Sequence, residues 1–309
     1  FDDKVFDYFS THSYENLTVI SLESFEDEEL RRVKPSRTTG EYCWTCSSST
    51  ILYCLENFNL DHCTYVDADL LFYESPTILI EEMLDKDVLI TEHRYTDEYD
   101  QSADSGIFCV QFITFRSTTA GLQILNWWRD RCLEWCFARM EDGKFGDQKY
   151  LDDWPERFVG VHVLRNHGGG LAPWNIQQYS FRREQNRVLG VHDRSGEIFR
   201  PVFFHFHALK VHTDRTVSLT GAQYMINRNA IRFFYSGYVH ALESAKDEIL
   251  RNDPEFGDPH GMVAPSIKSF KESRFLRPLA CLKSRLMNGP SQKHHFHNYS
   301  ITDLLARSK

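Results

Sequence analysis

The sequence predicts an α/β fold, with a mixed, mostly parallel sheet flanked by helices and a C-terminal helical extension. Two patterns support this prediction. Short runs of β-branched and apolar residues alternate along the chain with longer segments whose apolar residues recur every three to four positions. Strands that alternate with helices generally form one parallel sheet, because each helix crosses over before the next strand begins.

The strand segments are short and rich in Val, Ile, Thr and Phe. Polar or turn-forming residues bound each run, which limits it to the usual length of a strand. We expect strands at residues 18–22, 63–66, 88–91, 107–115, 159–164, 187–192 and 203–206.

The helical segments show apolar residues at helical spacing. In one of them, Ile51, Leu55 and Phe58 fall on a single face, and in another Pro76 occupies the first turn, where proline is favoured. We expect helices at residues 25–33, 44–58, 76–84, 120–137 and 226–250.

Residues 1–252 are expected to form this domain, and residues 253–309 a linker with a basic amphipathic extension. Residues 265–309 carry a net charge of +7, which leaves −16 for the rest of a chain whose total is −9. So acidic a body is not expected to bind nucleic acid, because phosphates must be neutralised by clustered cations. The extension suits contact with an anionic membrane surface, and a solvated helical end is the alternative.

The eight cysteines show no secreted pattern and lie mostly inside apolar segments. This distribution predicts free thiols in a reducing, cytoplasmic compartment, with peripheral contact at the inner face of the membrane if the extension binds there. No run of about 18 apolar residues occurs, so no membrane-spanning helix is expected. Cys43 and Cys46 form a lone CxxC pair, for which ordinary packing is preferred over a redox or zinc site.

The strongest functional signal follows the strand at residues 63–66. This strand ends in Asp67, Ala68 and Asp69, after which the apolar sequence resumes. Two carboxylates at the end of a buried strand are costly unless they bind a cation. Their spacing across a turn can direct both at one divalent metal, which in such sites generally also holds substrate phosphates. A second DxD, at residues 85–87, has a polar context and is interpreted as a solvated loop.

The apolar strand with its DAD sequence resembles the DxD motif of GT-A-fold glycosyltransferases. Residues 146–154 resemble the DQ-containing segment beside the acceptor site in that family. Residues 203–210 resemble the late His…Lys segment of glycosyltransferase family 8 and related bacterial polysaccharide-assembly enzymes. The three segments occur in the family's order, and the resemblance covers roughly residues 1–215. It implies a GT-A-like fold whose DxD carboxylates hold Mn²⁺ or Mg²⁺.

The resemblance also implies a late histidine on the metal and a lysine on the donor diphosphate. His205 and His207 are both candidates for the metal, since residues two apart in a strand point to the same side, and His205 is preferred. A packed, hydrogen-bonded histidine is the alternative for each. Lys210 is the candidate for the diphosphate, although it lies one residue earlier than in family 8, and Ala208 stands where the family has Gly.

Besides Lys210, four residues are candidates for binding the nucleotide-sugar donor. Residues 1–3 look like the end of a truncated first strand, which in GT-A folds contacts the base, so Asp2 or Asp3 is expected to bind uridine or another base. A helix N-terminus is an equally good interpretation of these acids. Arg37 and Arg94 are candidates for the sugar or diphosphate, because a guanidinium fork matches such oxygens, with an ordinary surface arginine as the alternative.

The sugar and acceptor side is assigned to Asp147, Gln148, Trp174 and Asn175. Asp147 is the general base if the enzyme inverts, whereas a retaining enzyme of the family 8 type needs none, and a helix N-cap is the alternative. Trp174 follows a glycine-rich segment, interpreted as a flexible loop, and either stacks on a sugar or packs in an ordinary turn. Asn175 offers its amide to hydroxyl groups.

Together these features predict a metal-dependent glycosyltransferase of the hexosyltransferase type. It is expected to move a sugar from a nucleotide-diphosphate donor, with a UDP-sugar favoured, to a carbohydrate or lipid-linked glycan acceptor. Two alternatives stay open. One is a sugar nucleotidyltransferase, although no Gly-rich phosphate loop is visible near the first strand. The other is a non-catalytic glycan-binding domain that keeps the GT-A-like fold.

Overall fold

The computed structural model describes residues 3–12, 14–185, 187–257 and 299–306. The chain divides into two compact units, Phe1–His205 and Phe206–Lys309. This division falls elsewhere than the expected domain boundary after residue 252, which stays a prediction. Most of the basic amphipathic extension lies outside the described residues.

The first unit contains the longer helices and most of the strands. Its helices are α1 (Asp3–Thr11), α2 (Leu22–Phe25), α3 (Glu28–Val33), α4 (Thr39–Asn57), α5 (Thr77–Ile80), α6 (Ser102–Ser105), α7 (Thr119–Glu134) and α8 (Trp154–Arg157). Its strands are β1 (His62–Val66), β2 (Leu70–Phe72), β3 (Val88–Glu92), β4 (Phe108–Arg116), β5 (Val161–Val163), β6 (Tyr179–Glu184), β7 (Arg187–His192), β8 (Ile198–Phe199) and β9 (Phe203–His205).

The second unit combines a small antiparallel sheet with one long helix. Its strands are β10 (Lys210–Val211), β11 (Thr216–Ser218) and β12 (Tyr299–Ser300). Its helices are α9 (Arg228–Ala230), α10 (Ser236–Asn252) and α11 (Ile301–Ala306), with the π-helical segment Ile231–Tyr235 joining α9 to α10.

The main sheet has the strand order β1–β4–β3–β5. β4 pairs antiparallel with both β1 and β3, and β3 pairs in parallel with β5. The α/β class and the mixed sheet are confirmed, but the prediction of a mostly parallel sheet is wrong. The reason is local, because no long crossover helix separates β4 from β3, and β4 therefore returns antiparallel beside it.

Strand β4 lies at the centre of the core. Every residue of β4 except the last is buried, as is typical of a strand covered on both faces. α7 packs on it through Trp128, whose ring is stacked 6.1 Å from that of Phe115 and meets Trp154 edge-to-face at 5.7 Å. Two polar side chains, Gln111 and Thr114, are fully buried within this apolar strand.

A short antiparallel ribbon, formed by β2 and β9, packs against β4. Leu70 lies opposite His205, and Phe72 lies opposite Phe203. The Phe203 ring stacks on Phe112 of β4 at 5.3 Å, which anchors the ribbon on the main sheet. This anchoring fixes the position of the chain segments on either side of the ribbon.

Six predicted strands and all five predicted helices have counterparts in the structure, with shifted ends. Residues 18–22 do not form a strand, because the run ends at the Ser21 cap of α2 and no described strand pairs with it. The predicted flexible loop at residues 168–175 is buried throughout. Within it Gly170 has φ +91°, and a Cβ there would lie 2.9 Å from Thr91 Cγ2, so a side chain does not fit.

None of the described helices is both long and apolar enough to cross a membrane.

Helix α4, which packs on β1 and α7, begins with a capping box. The Thr38 amide donates to Glu41 Oε2 at 2.8 Å, and the Glu41 amide donates to Thr38 Oγ1 at 3.4 Å. We expect Thr38→Ala to lower the free energy of unfolding by about 1 kcal/mol, because one helix amide loses its acceptor. Urea unfolding measures this. Thr50→Ala, at an exposed position of the same helix, is the control and should cause little loss.

Candidate functional site

The DAD sequence forms the turn between β1 and β2. The Asp67 amide donates to the Gln111 carbonyl of β4 at 3.1 Å, which extends the pairing with β4 by one residue. Ala68 and Asp69 form the turn, and β2 begins at Leu70. The two carboxylates therefore flank a tight turn at the end of a strand, as predicted.

His205 reaches these carboxylates through the β2–β9 pairing. Because Leu70 lies opposite His205, the residue before Leu70 lies beside the end of β9. The His205 Nε2 atom is 2.9 Å from Asp69 Oδ1 and 3.9 Å from Asp67 Oδ2. Asp69 and His205 offer ligand atoms within 4.8 Å of one another, close enough to share one metal ion. The structure thus brings Asp67, Asp69 and His205 together.

The His205 ring is held from two other sides. Its Nδ1 atom lies 2.7 Å from the side-chain oxygen of Gln111. The Trp174 ring meets it edge-to-face at 5.3 Å, with an interplanar angle of 85°. Only 4% of His205 is exposed, so both the plane and the direction of the imidazole are set by its surroundings.

The negative charge of the site is poorly compensated. Burial raises the pKa of Asp67 above its ordinary value and the Asp69 carboxylate raises it further, while the charge of His205 opposes the shift. The pKa of the Cys109 thiol is raised by its burial and by the carboxylates of Asp67, Asp147 and Asp69. The side chains of Asp67 and Asp69 are still 29% and 40% exposed, so a cation from solvent can reach both.

Asp147 supplies the third carboxylate of the site. It is buried, and Ser47 Oγ donates to its Oδ2 atom at 2.8 Å. Tyr65 lies near both Ser47 and Asp67, and its burial together with the charges of Asp67 and Asp147 raises the pKa of its hydroxyl. Burial raises the pKa of Asp147 to about 7, and the negative charge of Asp67 contributes to the shift, while the Ser47 hydrogen bond opposes it.

These side chains suit a divalent cation. Two carboxylates and one imidazole form an oxygen and nitrogen donor set; carboxylates suit Mg²⁺ and Mn²⁺, and imidazole suits the transition metals. His205 also has a hydrogen bond at its other ring nitrogen, as metal-ligating histidines usually do. The donor set therefore fits the kind of metal that the family resemblance implies.

His207 and Lys210 belong to the second unit. The His207 carbonyl accepts a hydrogen bond from Thr220 Oγ1 at 3.0 Å, and its ring meets that of Tyr224 edge-to-face at 6.4 Å. Lys210 is exposed and begins β10, where it pairs with Ser218. The assignment of these two side chains to a metal and a diphosphate stays a prediction.

The guanidinium of Arg94 binds the protein backbone. It donates to the carbonyls of Leu164 at 2.5 Å and of Asn166 and Gly169, each at 3.1 Å. Arg94 therefore fixes the segment that follows β5. A contact of Arg94 with the nucleotide sugar stays a prediction.

Arg37 also packs against the protein. Its guanidinium lies 3.9 Å from the centre of the Phe137 ring and donates to the Leu133 carbonyl at 3.3 Å. Burial lowers its pKa. These contacts hold Arg37 in place before the start of α4. Binding of the nucleotide-sugar donor by Arg37 stays a prediction.

Trp174 and Asn175 are both buried. Trp174 Nε1 donates to the His93 carbonyl at 2.9 Å while its ring packs on His205. Asn175 Nδ2 donates to the carbonyls of His93 and Gly170, each at 2.8 Å. The Asn175 amide thus binds the backbone and Trp174 packs on His205, and their contact with sugar stays a prediction.

The remaining candidates lie at the N-terminus and beside Asp147. Asp2 lies outside the described residues, and Asp3 lies in the first turn of α1. Asp3 therefore fits the helix N-terminus rather than the strand end, because an acid is favourable at the positive end of a helix. Gln148 Nε2 donates to the Ser105 carbonyl at 2.6 Å, so it joins the segment after Gly146 to α6.

Sequence analysis missed Gln111, Ser47 and Tyr65. An amide in the middle of the apolar run FCVQFITF is a signal for Gln111, because a buried amide is costly without a purpose. Ser47 lies on the face of α4 that packs on the core, and no local pattern distinguishes it from its serine neighbours. Tyr65 has the pattern of an ordinary strand residue.

Comparison with known proteins places the chain beside two proteins of Bacillus subtilis (strain 168). No family model matches it. YfnD is 28% identical over 261 residues, which cover 83% of this chain and 82% of YfnD. YfnF is 30% identical over 250 residues, which cover 78% of this chain and 79% of YfnF. The chain belongs to the same protein family as YfnF. Both relatives are described as uncharacterized proteins.

The raised pKa of Asp147 makes stability depend on pH. The folded state keeps this proton up to about pH 7, whereas the unfolded state loses it near pH 4. The unfolded state thus binds fewer protons between these values, and the free energy of unfolding should fall with rising pH by roughly 4 kcal/mol. Asp147→Asn removes this dependence and still accepts the Ser47 hydrogen bond. Its advantage over the wild type should therefore grow from pH 4 to pH 8, by urea unfolding in EDTA.

The backbone role of Arg94 is tested by Arg94→Met. We expect the free energy of unfolding to fall by about 3 kcal/mol, because buried carbonyls lose a charged donor. Arg165→Met is the control, since Arg165 is exposed on the same segment. An equal, small effect of both substitutions in urea unfolding would contradict the assignment.

Proposed function

We propose that the chain is a metal-dependent glycosyltransferase with a GT-A-like fold. It transfers a sugar from a nucleotide-diphosphate donor, with a UDP-sugar favoured, to a carbohydrate or lipid-linked glycan acceptor. The proposal is supported by three segments that resemble this class in the same order, and by an acidic, partly exposed site to which all three contribute.

One observation carries the proposal. The β2–β9 pairing brings His205 to 2.9 Å from Asp69, with Asp67 at the other end of the same turn. His205 lies far from the two carboxylates in sequence, and the sequence alone makes each of the three residues a candidate metal ligand. Their convergence supports a common ligand, for which a divalent cation is the simplest choice, because it offsets the carboxylate charge.

In this proposal Asp67, Asp69 and His205 hold Mn²⁺ or Mg²⁺. When bound, such an ion supplies positive charge that stabilises the leaving nucleoside diphosphate. The protein's own contribution is to hold three ligands in place on two short paired strands. Lys210 is retained as the cation for the diphosphate, and His207 as a further candidate for the metal.

Asp147 takes a different role from the one first predicted. Its carboxylate is 5% exposed and bonded to Ser47, so it is poorly placed to touch an acceptor hydroxyl. We assign it to the charge balance of the metal site, because the charge of Asp67 contributes to its raised pKa. The acceptor site is therefore expected among the exposed residues around the DAD turn.

The proposal is tested by Asp69→Asn, with Asp85→Asn from the second DxD as the matched control. Asp69→Asn removes one anionic ligand, so we expect Mn²⁺ affinity to fall at least about tenfold and transfer to fall at least about a hundredfold. Asp85→Asn should change neither. Calorimetric titration with Mn²⁺ and product analysis by mass spectrometry give the two readouts. Normal transfer by Asp69→Asn at limiting metal would contradict the metal assignment.

The donor is identified by thermal unfolding with a panel of nucleotide sugars. A donor present at a hundred times its dissociation constant should stabilise the folded state by about 2.7 kcal/mol. We expect this shift only with Mn²⁺ or Mg²⁺ present, and its loss in EDTA should be reversed by adding the metal back. Stabilisation that is equal with and without metal would contradict a metal-held diphosphate.

A further inference from the structure

Gln111 is a polar side chain in a place where an apolar one is expected. It lies in β4 between Val110 and Phe112, and none of its surface is exposed. Burying an amide group costs free energy unless its polar atoms are hydrogen-bonded. Its Nε2 atom has no hydrogen-bond partner among the described residues. Burial of this amide therefore costs free energy, and the contact made by its oxygen atom indicates why the amide is present.

That oxygen is directed at the candidate metal site. Gln111 Oε1 lies 2.7 Å from His205 Nδ1, and both side chains are buried. The other ring nitrogen, Nε2, faces Asp69 at 2.9 Å and Asp67 at 3.9 Å. The two nitrogens of one imidazole thus have separate environments, one with a neutral acceptor and one with two carboxylates.

We propose that Gln111 is the positioning residue of this site. Its oxygen accepts the Nδ1–H of His205, so that the Nε2 lone pair is available to a divalent cation at Asp67 and Asp69. This inference rests on the metal site of the proposed function. Trp174 completes the arrangement, because its edge-to-face contact at 85° restricts rotation of the imidazole.

The orientation of the amide decides whether the site can bind a metal. With the oxygen toward His205, the hydrogen stays on Nδ1 and Nε2 is free to be a ligand. With the nitrogen toward His205, the amide donates to Nδ1, and the hydrogen must sit on Nε2, where it blocks the cation. A side chain with an acceptor but no donor should therefore preserve metal binding, and one without an acceptor should not.

The test uses the full chain and three substitutions. Gln111→Glu keeps an acceptor in place of the amide and should bind Mn²⁺ within about threefold of the wild-type affinity. Gln111→Met has a similar length without an acceptor, and its Mn²⁺ affinity should fall about 10- to 100-fold. Thr114→Val is the control, because it removes the 2.8 Å hydrogen bond between the hydroxyls of Thr114 and Thr64 at another buried position of β4. It should leave Mn²⁺ affinity unchanged.

The second readout is the ring of His205 itself. ¹⁵N chemical shifts, assigned with a His205→Asn variant, report which nitrogen carries hydrogen. We expect a hydrogen on Nδ1 in the wild type and in Gln111→Glu, both without metal and with diamagnetic Mg²⁺. In Gln111→Met this population should fall. A purely structural role for Gln111 would lower stability without moving these shifts.

The outcomes separate this inference from the proposed function. If Gln111→Met binds Mn²⁺ as tightly as Thr114→Val, or if Nδ1 of the wild type carries no hydrogen, Gln111 is not the positioning residue. If Gln111→Met weakens Mn²⁺ binding and shifts the tautomer but no nucleotide sugar is used, the positioning role stands and the glycosyltransferase proposal fails. If the wild type binds neither Mn²⁺ nor Mg²⁺, the positioning role and the glycosyltransferase proposal both fail, because each requires a bound metal.

Discussion

The antiparallel pairing of β2 with β9 is the constraint on which the candidate site depends. Each strand has only three residues, yet their register decides that Asp69 lies beside His205. A shift of one residue would turn His205 to the opposite face of the ribbon, because side chains alternate along a strand. Phe203, stacked on Phe112 of the main sheet, holds that register in place. The apolar core and the polar site are therefore parts of one arrangement.

The polar residues of the site are arranged around a net negative charge. Asp67, Asp69 and Asp147 lie close enough to raise the pKa of the Cys109 thiol together, and the electrostatic interaction with His205 opposes the shift of the Asp67 pKa. Tyr65 and Ser47 lie close to these carboxylates without supplying charge. Such an arrangement stores unfavourable electrostatic energy, which a bound cation would release. Stability and metal binding are expected to be coupled for this reason.

The local sequence pattern predicts some features of the fold and the site correctly but not others. β1, the DAD turn and β9 were predicted because apolar runs and their breaks are visible in a few residues. The predicted parallel direction of β4 is wrong, because the direction of a strand depends on the connection that precedes it, here the one from β3, rather than on its composition. The prediction of a strand at residues 18–22 is wrong, because a β-branched run forms a strand only when a neighbouring strand pairs with it. Arg94 donates to the Gly169 carbonyl and Asn175 to the His93 carbonyl, both far away in sequence, and no sequence pattern predicts such long-range contacts.

Cys109 has a consequence for metal selectivity. Its thiol is buried beside three carboxylates, and both burial and their charge keep it protonated. A thiol that does not ionise is a poor ligand, since metals bind the thiolate. Soft ions such as Zn²⁺ or Cu⁺ therefore gain no sulfur ligand from this side of the site. The same carboxylates that are proposed to hold a hard cation thus also suppress the ionisation of a nearby thiol that would favour its competitors.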